Sequence, residues 1–108
     1  MDLRVNAVRG VNLAVRDLEQ SVSFYTQSWG LKVASRSEDG VVYLRANGPE
    51  HHVLSLREAP KSKFLGVSLS AKNKFSVDAL HARAKGFGAD VVGAPEALDE
   101  RGGGGYGF

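Results

Sequence analysis

The order of elements along this chain starts twice, and that doubling limits the folds open to it. "VRGVNLAV" (Val8 to Val15) is rich in β-branched residues and alternates, with Val11, Leu13 and Val15 on one face and Gly10, Asn12 and Ala14 on the other. A helix is predicted next. Asp17 and Gln20 have capping-box spacing, Leu18, Val22, Tyr25 and Trp29 recur at helical spacing as one core-facing stripe, and Gly30 supplies the stop. Strands are then predicted in "LKVASRS" from Leu31, "GVVYLRAN" from Gly40 and "HHVLSLRE" from His51, separated by the turn-formers "EDG" and "NGPE".

At "KFLGVSLSA" (Lys63 to Ala71) the alternation of the first strand returns. "SVDALHARAKG" is predicted helical, with Ser76 as N-cap, Val77, Leu80 and Ala84 on one stripe, and Gly86 or Gly88 at its end. A short strand is expected in "ADVVGA" (Ala89 to Ala94), then a loop, then an extended stretch at "YGF". Two modules follow from this reading, β-α-β-β-β over residues 1–60 and β-α-β-β over 61–108. The second is expected to stop before its last strand.

Composition narrows the function classes. A chain of 108 residues makes one domain, or two small modules sharing a core. It contains no cysteine, which excludes disulfides, thiolate metal sites and cysteine nucleophiles. The net charge is +2 with Lys and Arg scattered, so no electrostatic footprint for nucleic acid is present. No apolar run has the length of a membrane span, and "MDLRVNAVRG" has no signal-peptide core. The expectation is a soluble, cytoplasmic protein acting on a small molecule, with neither nucleic acid nor membrane as partner.

The stretch "GVNLAVRDLEQSVSFYTQSWGLKV" resembles the opening of the vicinal oxygen chelate superfamily, which holds glyoxalases, bleomycin-resistance proteins and type I extradiol ring-cleavage dioxygenases. "VVYLRANGPEHHVLSLREA" is similar to the third and fourth strands of the N-terminal domain of extradiol catechol dioxygenases, and "FLGVSLSAKNKFSVDALHARAKGFGADVV" to the second module of that domain. The fold implied is α+β: paired βαβββ modules with curved mixed sheets and helices outside. Metal-using members hold a divalent ion through two histidines and a glutamate on cleft strands. The resemblance places the first ligand position at Gly10 and the second at Phe64, neither of which can ligate, and the third beyond Phe108. It therefore implies a metal-free domain, inactive alone, whose parent protein carries Fe(II), or less often Mn(II), in a C-terminal domain. The parent would act on a small aromatic molecule and assemble as a homo-oligomer. A metal-free ligand-sequestering protein of the bleomycin-resistance type, or a glyoxalase-family protein of other specificity, is the alternative.

His51 and His52 are the tempting replacement for the lost ligands. Adjacent residues of a strand point to opposite faces, so they are not expected to chelate one ion together. Asn12, Tyr43, His51 and His52 are instead candidate pocket-wall residues. His81 is expected to face solvent. Glu38, Asp39, Glu50, Glu96, Asp99 and Glu100 are read as solvated loop charges, with no pairing for acid–base work. "RGGGGYGF" lacks the Lys and Ser or Thr of a phosphate loop, so its glycines are read as a hinge into a strand, with few side chains to anchor it.

Overall fold

The apolar face of the first strand finds the partners its pattern calls for. The computed structural model describes residues 4–98 and 105–108. Strand β1 (Val5–Val15) leads into helix α1 (Leu18–Gln27), strands β2 (Lys32–Arg36), β3 (Val42–Arg45), β4 (Leu54–Glu58) and β5 (Lys63–Ala71), helix α2 (Lys74–Gly86), and the short strands β6 (Glu96–Ala97) and β7 (Tyr106–Gly107). A mixed five-stranded sheet has the order β2-β3-β4-β1-β5, and β6 and β7 form a separate antiparallel pair. β4 runs parallel to β1 and antiparallel to β3, and β3 is antiparallel to β2. The fold class is α+β. Among the described residues, no helix is long and apolar enough to cross a membrane.

Two compact units divide the chain: residues 9–68, and residues up to Val8 together with those from Leu69 onward. In the unit of residues 9–68, Val22 of α1 packs with Val42, Leu44, Leu54 and Leu56, and Leu44 and Leu56 are wholly enclosed. Val11, Leu13 and Val15 pack against this core from β1, as the alternation requires. Helix α1 begins where Asp17 Oδ1 accepts the Gln20 amide at 3.1 Å. After its end the chain turns through Gly30 at φ +74°, which favours glycine. Arg36 of β2 donates twice to Glu19 (3.0 and 3.1 Å), and this bond holds the Glu19 carboxyl below its ordinary value.

Trp29 corrects one expectation. It is 67% exposed rather than core. Helix α1 ends at Gln27, so the helical period that carries Leu18, Val22 and Tyr25 inward no longer governs position 29. Its indole instead meets the rings of Tyr25 and Phe24 at 5.2 and 6.3 Å between centroids.

The other unit is built around α2. Its cap is Asn73, whose Oδ1 accepts the Ser76 amide at 2.9 Å, so the helix starts before the serine expected to cap it. Ser76 is drawn into the helix and becomes the one buried residue among those described in this unit. At the other end, Gly88 (φ +79°) donates to the Lys85 carbonyl and Ala89 to the Ala84 carbonyl, a Schellman closure. This closure explains why the strand expected at Ala89 to Ala94 does not form. The Ala89 amide is spent on the helix cap and Val92 is fully exposed; the strand lies later, at Glu96–Ala97. β7 confirms an extended stretch after the glycines, but it is better anchored than expected. The Tyr106 hydroxyl donates to Asp78 (2.5 Å), a bond that raises the Tyr106 pKa. The Phe108 ring meets His81 edge-on at 4.9 Å, so His81 is half-buried and not simply solvent-facing. Gly102 to Gly104, like Asp99, Glu100 and Arg101, lie outside the described residues.

Candidate functional site

The sheet face opposite the Leu44–Leu56 core carries a polar row. Asn12 of β1 stands opposite Ser55 of β4, Ser55 opposite Tyr43 of β3, and Tyr43 opposite Ser35 across a bulge in β2. Each strand supplies one member because alternation sends its leucines and valines to the core. Ser55 Oγ donates to Asn12 Oδ1 at 2.5 Å. On β5, the side-chain position of Gly66 lies 3.9 Å from Asn12 Nδ2, which leaves the amide room. Ser35 Oγ is buried with no hydrogen-bond partner among the described residues.

Above Tyr43 sit the two histidines. His52 and His51 place their rings 4.6 and 5.8 Å from the Tyr43 ring, and the tyrosine is buried beneath them. The two rings do not point apart, as strand alternation would have required. Both precede β4, in a bend where strand alternation does not apply, and their Nδ1 atoms approach to 2.8 Å. A hydrogen bond at that distance requires one Nδ1 to carry a proton and the other to offer its lone pair.

Two contacts tie this bend to β1. Arg9 Nε donates to Glu50 Oε2 at 2.9 Å, so Glu50 is an ion-pair member and not a solvated loop charge. The Val11 amide donates to the Val53 carbonyl at 2.9 Å. Between Arg9 and Val11, Gly10 is buried, and a Cβ there would stand 3.1 Å from the Val53 carbonyl oxygen. Glycine is what lets the two backbones meet.

Of the four candidate wall residues, Tyr43, His51 and His52 form one cluster, and Asn12 joins them through Ser55. Sequence reasoning passed over Ser55, Ser35 and the Arg9–Glu50 pair. Ser55 was within reach, because it is the lone polar residue between two core leucines in "LSL". The group offers hydroxyl, amide and imidazole functions suited to hydrogen bonding and ring stacking.

A metal ion does not fit the expected positions. Gly10 has no side chain and only a tight space for one, and Phe64 offers a hydrocarbon ring. Among the described residues, no three His, Cys, Asp or Glu side chains converge as ligands.

The profile of the glyoxalase/bleomycin resistance protein/dioxygenase superfamily matches residues 6–107. This chain belongs to that superfamily. A solved relative within it is the Mn(II)-bound glyoxalase from Novosphingobium aromaticivorans, 35% identical with a TM-score of 0.87, over 97% of this chain and 35% of that one. Homoprotocatechuate 2,3-dioxygenase from B. fuscum is 27% identical with a TM-score of 0.69, over 78% of this chain and 23% of its own. The 2,3-dioxygenase LapB from Pseudomonas sp. KL28, at 21% identity and TM-score 0.73, covers 87% of this chain and 31% of its own, and shares the fold. This superfamily member thus spans between about a quarter and a third of the length of those structures. None of the curated proteins matches it in sequence.

Proposed function

We propose that this chain is the metal-free N-terminal domain of an extradiol ring-cleavage dioxygenase-like protein acting on catecholic aromatics. The observation that carries the reading is Gly10. The position where the superfamily resemblance calls for a metal ligand is taken up by a close approach of β1 to Val53. In this reading the domain supports a catalytic one and contributes to oligomer contacts. Fe(II), or less often Mn(II), bound in that other domain would supply oxygen activation for opening the ring beside the two hydroxyls. The likeness to homoprotocatechuate 2,3-dioxygenase supports the substrate class, and the small share of that chain covered supports the status of a domain within a longer protein.

The test is a ring-opening assay on residues 1–108 given Fe(II), oxygen and catechol, read by absorbance of the opened product. No turnover and no stoichiometric retained metal are expected. Turnover that survives gel filtration would sink the reading.

The 35% identity to a glyoxalase over nearly the whole chain favours a second reading, a glyoxalase-family protein of other specificity or a ligand-sequestering module of the bleomycin-resistance type. The coding region beyond Phe108 separates the two. A further paired module bearing His, His and Glu on cleft strands supports the dioxygenase. A stop after one or two strands, with tight calorimetric binding of an aromatic ligand by the isolated protein, supports sequestration.

A further inference from the structure

The sheet face that carries the polar row bears charge of one sign. Alternation from the core residues Leu44 and Leu56 places Arg45 of β3 and Arg57 of β4 on it, and the pairing of β2 with β3 adds Lys32. All three are exposed. Their face has no acid in return. Glu58, at the end of β4, pairs with Val15 and alternates to the core side. Glu38 and Asp39 lie in the turn at the far end of the β2–β3 hairpin, and Glu50 is held by Arg9. Lys32 and Arg45 stand directly opposite each other in an antiparallel pair. Like charges so placed repel, and among the described residues neither side chain has a hydrogen-bond or ion-pair partner to offset it.

We propose that Lys32 and Arg45 clamp the carboxylate of a small aromatic acid. The Arg45 guanidinium presents paired N–H donors that match the two carboxylate oxygens, and Lys32 adds a second positive charge from the facing strand. An anion between them replaces their repulsion with two attractions. The neighbouring rings select the rest of the ligand. Arg45 lies two residues beyond Tyr43 on the same face, about 7 Å along the strand. His51 and His52 stand over Tyr43, and both are only half-buried. A ring attached to the bound carboxylate reaches these imidazoles and stacks on them. Binding there does not depend on which reaction the protein performs.

Titration of the isotope-labelled chain with benzoate, followed by NMR, tests it. Benzoate should shift the Lys32, Arg45, His51 and His52 amides in a saturable way. Arg45→Gln and Lys32→Gln should each weaken binding about tenfold or more. Arg57→Gln removes the same charge from the same face and should change it less than about twofold. Benzamide, which has the ring without the charge, should not bind. Acetate, which has the charge without the ring, should bind about tenfold more weakly or worse. The repulsion adds a readout that needs no ligand: at low salt Lys32→Gln should melt about 1–4 °C above wild type. Benzoate should then raise the melting temperature of wild type and leave that of Lys32→Gln almost unchanged. Equal weakening by all three charge substitutions, acetate or inorganic phosphate binding as tightly as benzoate, or no saturable shift at Lys32 and Arg45 would each overturn the proposal.

Discussion

The two repeats of this chain are written in the same pattern and end in different physical states. In the first, the alternating strand β1 and the capped helix α1 close over β3 and β4, whose Leu44 and Leu56 are wholly enclosed. In the second, β5 and α2 repeat the alternation and the cap, yet the apolar side chains of β5 stay about half exposed and Ser76 is the buried residue of α2. The difference shows what a local pattern can and cannot specify. Alternation and capping fix the element, whereas burial is conferred by strands that arrive from elsewhere in the chain.

The contrast should be largest in the core. Leu44→Ala or Leu56→Ala should cost about 3 kcal/mol or more in urea unfolding, since each leaves a cavity in an enclosed site. Leu80→Ala on half-buried α2 should cost about 1 kcal/mol or less by the same argument. Equal losses would mean that the second repeat has a core of its own.

The glycines of the paired strands give a smaller contrast. Gly10→Ala drives a methyl toward the Val53 backbone oxygen and should cost about 1–3 kcal/mol. Gly66→Ala meets only the end of the Asn12 side chain at 3.9 Å, and should be neutral or slightly stabilising in the same denaturation series.

Trp29→Ala should cost less than about 1 kcal/mol, as a largely exposed side chain does. Native emission typical of water-exposed indole is expected, and a blue-shifted spectrum would return Trp29 to the core.

The least effect is expected at Tyr106. Its bond to Asp78 raises its pKa in the folded state, so the protonated hydroxyl is the form the fold favours. Its contribution is complete below the ordinary tyrosine value and fades as pH rises through the raised one. Difference absorbance of the phenolate between wild type and Tyr106→Phe should show a group titrating above a normal tyrosine, and Asp78→Asn should change that midpoint.

Where a residue's neighbours lie close in sequence, the sequence was a good guide. The Asp17 cap, the inward face of β1 and the full extent of β5 follow from spacing alone, because each depends on backbone geometry within a few residues. The cap of α2 moved to Asn73 because two equally suitable capping residues stand three apart, and spacing does not choose between them. His51 and His52 were harder. Their convergence depends on a bend before β4 and on Tyr43 arriving from another strand, neither of which the alternation of "HHVLSLRE" reveals. The polar row shows the same limit, since Asn12, Ser55, Tyr43 and Ser35 become neighbours only through the register of four strands.

The contact at Gly10 bears on what substitution can reach. A histidine placed at position 10 would press its Cβ on the Val53 carbonyl, which is held in place by the Val11 amide. To admit it, the bend carrying His51 and His52 must shift by a few tenths of an ångström. That shift strains the Arg9–Glu50 and Val11–Val53 contacts, so it carries a cost. The approach of two backbones thus penalises every side chain at position 10, and single substitutions to a ligating residue there should fold with a loss of stability at least as large as that of Gly10→Ala.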